Sequence, residues 1–145
     1  MTAVDTNILV YAHRAEMPWH REAERCVRTL AEGAASWAIP WPCVHEFLSV
    51  VTNRRAFRTP TPRNLAVAQV EKWRASPSLV LLAEGEGYWN FLCDLLVRGD
   101  IVGPKVHDAR IAALCQLHGI DELWTADRDF NRFPSLKTRN PLIPR

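Results

Sequence analysis

The sequence predicts an α/β fold in which a mainly parallel sheet carries helices on both faces. Three observations point to it. Short apolar segments of strand length alternate along the whole chain with longer segments whose apolar residues recur at helical spacing. That order implies βαβ units, whose strands run parallel and whose helices cover the sheet. A continuous apolar run, Leu79-Val80-Leu81-Leu82, has the pattern expected of a strand buried on both faces.

The elements come in order. Residues 2 to 4 form a short strand, and Thr6 to His13 a short helix with Ile8, Leu9 and Tyr11 turned inward. Met17-Pro18-Trp19-His20 interrupts it. Ala23, Val27 and Leu30 recur at helical spacing from Arg21 to Glu32, and Gly33 stops that helix. Ser36 to Ile39 is a second strand. Pro40-Trp41-Pro42 then turns the chain into a helix from about Cys43 to Asn53, with Val44, Phe47, Leu48 and Val51 as its apolar stripe. Thr59 to Pro62 is a loop, Leu65 to Trp73 a helix ended by Ser76-Pro77, and Leu79 to Leu82 the third strand. Tyr88 to Val97 is a helix whose inner side is Trp89, Leu92, Leu95 and Leu96. A glycine-bearing loop from Arg98 to Lys105 leads to a helix from His107 to His118, stopped by Gly119. Glu122 to Thr125 is a strand, followed by a short turn and a weak last strand near Lys137 to Asn140.

A chain of this length fits one domain, residues 1–145, with room for a proper core. No repeat, low-complexity stretch or long linker divides it. The net charge is only +2, which excludes a polycationic tail, but the charge is unevenly spread. Arg54, Arg55, Arg58, Arg63, Lys72 and Arg74 face a single acid, Glu71, and the tail from Arg128 repeats the bias with Arg132, Lys137, Arg139 and Arg145. Two such segments suit a phosphate-bearing substrate, or are simply a solvated surface. Cys26, Cys43, Cys93 and Cys115 form no C-x-x-C pair and read as buried free thiols of a reducing compartment. The six tryptophans read mostly as core, with Trp41 at the mouth of a pocket as the exception. The N-terminus lacks a signal-peptide pattern and no apolar run is long enough to cross a bilayer, so the expected location is cytoplasmic.

The chemistry lies in four carboxylates, Asp5, Glu46, Asp108 and Asp127. Each stands where a short apolar strand is predicted to end or a short apolar helix to begin. In a parallel sheet these positions converge at the carboxyl ends of the strands. Asp108 shares a helix face with Ile111, Ala112 and Cys115, and an acid at the head of an apolar stripe needs a partner or a metal. Crowded carboxylates resist ionising together, and hard oxygen ligands favour Mg²⁺ or Mn²⁺. Each acid also has a plainer reading. Asp108 and Asp5 can be helix caps, Glu46 a solvent-exposed helical residue, and Asp127 with Asp129 a polar turn.

Competing chemistries fit less well. His45-Glu46 opens like a zinc-protease helix, but Ser49 stands where the second histidine belongs. Neither a G-x-S-x-G elbow nor a glycine-rich phosphate loop occurs, and the histidines show no metal-ligand spacing. A phosphatase of the kind with Asp-x-Asp after its first strand is disfavoured because position 7 is Asn.

Val4-Asp5-Thr6-Asn7-Ile8-Leu9-Val10-Tyr11-Ala12 resembles the opening motif of PIN-domain nucleases. Glu46-Phe47-Leu48 after Pro42, the run from His107 to Leu114, and Thr125-Ala126-Asp127-Arg128-Asp129-Phe130 are similar to their second, third and fourth acidic motifs. Phe133-Pro134-Ser135-Leu136 is similar to the branch of small bacterial PIN proteins called VapC toxins. The resemblance covers essentially the whole chain. It implies a three-layer α/β/α sandwich and an Mg²⁺- or Mn²⁺-dependent endoribonuclease. Asp5, Glu46, Asp108 and Asp127 become its acidic tetrad and metal ligands, Asp129 competes for the fourth place but Asp127 lies nearer the strand end and is preferred, and Asn7 and Thr125 are polar supports. For the VapC branch it also implies an RNA substrate such as tRNA or ribosomal RNA, a cognate antitoxin and a homodimer. A non-cleaving PIN-fold module that grips RNA or a partner, and a different metal phosphohydrolase, are the alternatives.

Overall fold

A computed structural model describes residues 1–144. The described chain runs β1 (Thr2–Val4), α1 (Thr6–His13), α2 (His20–Glu32), β2 (Trp37–Pro40), α3 (Trp41–Val51), α4 (Arg63–Arg74), β3 (Leu79–Leu82), α5 (Tyr88–Arg98), α6 (Val106–Leu117), β4 (Glu122–Trp124) and β5 (Thr138–Arg139). Single 3₁₀ turns lie at Gly103–Lys105 and Arg128–Arg132. The predicted order of elements is therefore present, with ends displaced by a residue or two.

The five strands form one sheet in the order β3-β2-β1-β4-β5, and every pairing is parallel. From β1 to β2 to β3 the chain steps in one direction, so right-handed crossovers put α1 to α4 on one face. The step from β3 to β4 returns across the sheet and puts α5 and α6 on the other. The packing agrees, with α1 against α2 and α3, α3 against α4, and α5 against α6. The strand order reverses between β1 and β4, which are hydrogen-bonded neighbours. Open sheets of this kind place their ligands at that reversal.

The core fills both sides of the central strands. Ala3, Val4, Trp37, Ala38, Ile39 and Leu123 of the sheet are buried. The α3 stripe expected from the sequence is there, with Val44, Phe47 and Val51 inside. Phe47 meets the ring of Trp73 edge-on at 4.7 Å and that of His13 at 5.3 Å, tying α1, α3 and α4 together. Among the described residues no helix is long and apolar enough to cross a membrane.

Several expectations need correction. The run 79–82 is not buried on both faces, because β3 is the edge of the sheet and pairs on one side only. Val80 is 38% exposed and only Leu82 is fully covered. Trp89 is not on the inner side of α5 and is 67% exposed. The covered stripe begins at Tyr88 and continues through Leu92 and Leu95, which turns Trp89 outward. Trp19 is also exposed, so among the tryptophans only Trp37 and Trp73 are fully buried. Of the four cysteines Cys43 and Cys115 are buried, while Cys26 and Cys93 lie part-way to solvent on the outer helices. Tyr11 is half-buried, packed against the core as expected, and also lines a cavity.

Truncating the ring that joins three helices should be costly. Phe47→Ala is expected to lower the free energy of unfolding by about 3–5 kcal/mol. Val97→Ala on the exposed side of α5 should change it by less than about 0.5 kcal/mol. Urea titration of both variants checks this, and equal losses would show that Phe47 does not carry the packing.

Candidate active site

β1 ends at Val4, and the backbone N–H of Asp5 still donates to Trp124 O of β4 at 2.9 Å. The next residue leaves the sheet into α1, and the Asp5 carboxylate caps that helix by accepting from Thr6 N at 2.8 Å. Asp5 is thus fixed at the reversal of strand order. Its Oδ1 also accepts from Cys43 Sγ at 3.5 Å, and its Oδ2 from Thr125 Oγ1 at 2.7 Å. Thr125 is the first residue beyond β4. Its hydroxyl accepts in turn from Asp127 N at 3.0 Å and Asn7 Nδ2 at 3.4 Å, while Asn7 Oδ1 accepts from Ala126 N at 3.2 Å. Asn7 and Thr125 therefore lock the segment after β1 to the segment after β4.

The other acids come from different elements. Glu46 projects from α3 and accepts from Thr6 Oγ1 at 3.1 Å. Asp108 lies in the first turn of α6, whose Ile111, Ala112 and Cys115 are buried behind it as the sequence pattern required. Asp127 caps the 3₁₀ turn Arg128–Arg132 by accepting from Asp129 N at 2.8 Å. Asp5, Glu46, Asp108 and Asp127 all line one cavity of about 220 Å³, together with Tyr11, Met17, Val50 and Ile111. The four predicted acids, remote in sequence, thus meet in one place.

Asp129 stands apart from that wall. Its carboxylate is ion-paired with Lys105 Nζ, which also approaches Asp108 to 4.0 Å. Judged by carboxylate spacing alone, Asp108, Asp127 and Asp129 form the tightest group, each offering an oxygen within 4.8 Å of the others. Judged by the cavity, Asp127 belongs with Asp5 and Asp108. The cavity is the better guide to chemistry, because Asp129 is engaged by an ammonium and Asp127 is not.

Electrostatics bears out the crowding. Burial pushes the Asp5 carboxyl up to about 6 against the lowering effect of its Thr125 and Thr6 hydrogen bonds, with the charge of Glu46 adding to the rise. Burial and the charge of Asp127 raise Asp108, and Lys105 opposes them. The donor set is all oxygen, hard and anionic, which fits a divalent cation of the Mg²⁺ or Mn²⁺ class.

Three further residues of the site escaped the sequence reading. Thr6 holds Glu46, Cys43 touches Asp5, and Lys105 binds Asp129. Cys43 lies three residues before Glu46 and Lys105 three before Asp108, so helical spacing was the available signal. Trp41, expected at the mouth, is half-buried against His45, their rings stacked at 6.0 Å, and is not among the residues lining the cavity. His45 and His107 border an adjoining trough. A larger cleft lies elsewhere, around Arg14 and Phe57, where Arg14 is engaged with its neighbours. Arg14 donates to Glu16, Thr59 O and Thr61 Oγ1.

Asp5 gives the protein a pH dependence. Its carboxyl is raised in the folded chain from 3.8 to about 6, so the folded state holds the proton more tightly than the unfolded one. Its contribution to stability is then greatest below about pH 4 and falls, by up to about 3 kcal/mol, as pH rises through about 6. With divalent ions removed, the stability of the wild type relative to Asp5→Asn is expected to decline over that window and stay flat above it. Chemical denaturation across the range checks this, and a flat difference would contradict the burial effect.

The sequence profile of the PIN domain matches residues 2–136. Ribonuclease VapC43 of Mycobacterium tuberculosis is 36% identical over 142 residues, covering 98% of this chain and 96% of that protein. Ribonuclease VapC48 of the same organism is 30% identical over 140 residues, with 94% of each chain covered. Among solved structures, Mycobacterium tuberculosis VapC20, described as a Sarcin-Ricin loop cleaving toxin, superposes with a TM-score of 0.66 at 21% identity, covering 90% of this chain and 93% of that one. VapBC2 from Rickettsia felis, bound to a DNA fragment from its promoter, gives a TM-score of 0.64 at 18% identity, with 95% and 96% covered. The acids of the described cavity and these full-length matches agree: the chain belongs to the PIN-domain family, among the VapC ribonucleases.

Proposed function

We propose that the protein is an endoribonuclease dependent on Mg²⁺ or Mn²⁺ that acts as the toxin of a type II toxin–antitoxin pair. The observation that carries this is the convergence of Asp5, Glu46, Asp108 and Asp127 on one cavity at the strand-order reversal. Full-length relatives named as ribonucleases support RNA as the substrate, and tRNA or ribosomal RNA is the class to test first. Solved neighbours that are toxin–antitoxin complexes support a cognate antitoxin, and the same branch suggests a homodimer working in the cytoplasm.

Asp5, Asp108 and Asp127 would hold the cation, and Glu46 would complete its surroundings. A divalent ion there supplies charge to offset the phosphate and lowers the pKa of a water it binds. The chain's own residues do the rest. Asp5 is held by three donors, so its oxygens are fixed before any ligand arrives. Thr125 sets the orientation of Asp5 and, through its bond from Asp127 N, the start of the 3₁₀ turn. Thr6 holds Glu46 at the opposite wall, where its carboxylate can accept a proton from an attacking water. Tyr11, Met17, Val50 and Ile111 restrict water around the acids.

Purified protein is expected to cut RNA in Mg²⁺ or Mn²⁺ and to stop in EDTA. The products should carry 5′-phosphate and 3′-hydroxyl ends, since water is the nucleophile. End-mapping of RNA from cells expressing the wild type and Asp5→Asn tests this, and 2′,3′-cyclic phosphate ends would sink it. RNA that is bound but never cut, with metal supplied, would instead assign the chain to non-cleaving PIN-fold modules. Asp108→Asn should lose at least about 100-fold in cleavage rate. Thr125→Val, which removes the donor to Asp5, should lose about 10–100-fold in metal affinity or rate, with Thr125→Ser largely restoring it.

A further inference from the structure

Lys105 is the one cation built into the acid cluster. Among the described residues no other lysine or arginine pairs with Asp5, Glu46, Asp108, Asp127 or Asp129. Its position is set by the backbone. Gly103 takes a left-handed φ of 63°, Pro104 comes next, and the 3₁₀ turn Gly103–Lys105 runs directly into α6 at Val106. Lys105 and Asp108 are therefore three residues apart at the entry to a helix and face the same way. The ammonium binds Asp129 and stands 4.0 Å from Asp108. It occupies the side of the cluster on which Asp108, Asp127 and Asp129 come within 4.8 Å of one another.

The pair is 36% and 45% exposed at its side chains, so its value to folding is small. Its effect on the cluster is larger. A lone Asp129 beside Asp127 and Asp108 would add a third carboxylate to that side, and an incoming divalent cation would attract it. With Lys105 in place, Asp129 already has a counter-ion, and Asp108 has part of one.

From this geometry we infer that Lys105 is a resident counter-cation that competes with the divalent ion for the outer carboxylates, holds Asp129 outside the metal's ligand set, and so leaves Asp127 as the fourth acid. The inference rests on the metal-dependent reading above. Lys105 is a positioning residue, acting through Asp129 and Asp108. It sets how tightly the site binds metal, and hence how much free metal the protein needs. The resemblance that names four acids does not contain this role, and it explains why the nearby fifth acid is not one of them.

Isothermal titration with Mn²⁺ alone tests both levels. Wild type should bind Mn²⁺ and Asp5→Asn should bind it much more weakly, which examines the metal site itself. Lys105→Met should bind Mn²⁺ roughly tenfold more tightly than wild type. Lys105→Arg, which keeps the charge, should match the wild type. Adding Asp129→Asn to Lys105→Met should remove most of the gain and leave only the share that comes through Asp108, while Asp129→Asn alone should change little. Circular dichroism and the unfolding midpoint show whether each variant is folded, and Lys105→Gln serves if Lys105→Met is not. Unchanged or weaker Mn²⁺ binding in folded Lys105→Met, or a gain left undiminished by the loss of Asp129, would overturn the role of Lys105 and leave the metal site standing. A wild type that binds no Mn²⁺ would overturn both.

Discussion

The hydrogen bond from Thr125 Oγ1 to Asp5 Oδ2 joins two segments 120 residues apart at the point where the strand order reverses. A hydroxyl offers one hydrogen and two lone pairs. Thr125 gives the hydrogen to Asp5 and receives Asp127 N and Asn7 Nδ2 on the oxygen, so its capacity is full. That leaves little freedom in how β1 and β4 present the residues at their carboxyl ends. This one side chain contributes to the position of Asp5, to the start of the 3₁₀ turn and to the placement of Asp127. Glu46 and Asp108 reach the same cavity from α3 and α6, which come together there from opposite faces of the sheet.

Such a cluster works against folding. Five carboxylates lie close together, one of them 5% exposed, and burial alone discourages the ionised form of Asp5. The chain offsets this locally with hydrogen bonds to Asp5, a hydroxyl on Glu46 and an ammonium on Asp129. Each device also orients the acid it stabilises, so the means of tolerating the charge and of aiming it are the same contacts. This is the general pattern of sites that give up some stability to hold reactive groups in place.

Much of this was legible in the residues. The alternation of periods implies the βαβ order, and a parallel sheet implies convergence of positions just beyond strands, which marks Asp5 and Asp127 from the sequence alone. Asp108 was marked by an acid at the head of the stripe Ile111, Ala112, Cys115. The features that could not be read depend on neighbours in space. Val80 looks like core in any window of sequence, and only the sheet order makes it an edge residue. Trp89 fits an inner stripe at helical spacing equally well until the packing against α6 selects the stripe beginning at Tyr88. Asp127 is favoured over Asp129 in the sequence only by lying nearer the strand end, and it is the cavity wall that holds Asp127 and not Asp129. Lys105, which pairs with Asp129, is 24 residues from it, and no local pattern links the two.

One arrangement bears on why so many negative charges can share a small volume. Asp5 stands at the amino end of α1 and Asp108 in the opening turn of α6, so both acids lie at the positive ends of helices. Each such end carries a fractional positive charge of about half an electron from its aligned peptide units. The backbone therefore supplies a diffuse positive field around the acids even before any ion or lysine is considered. A helix reversed in direction at either position would turn that field against the carboxylates, so the polarity of the βα connections is itself part of what makes the site.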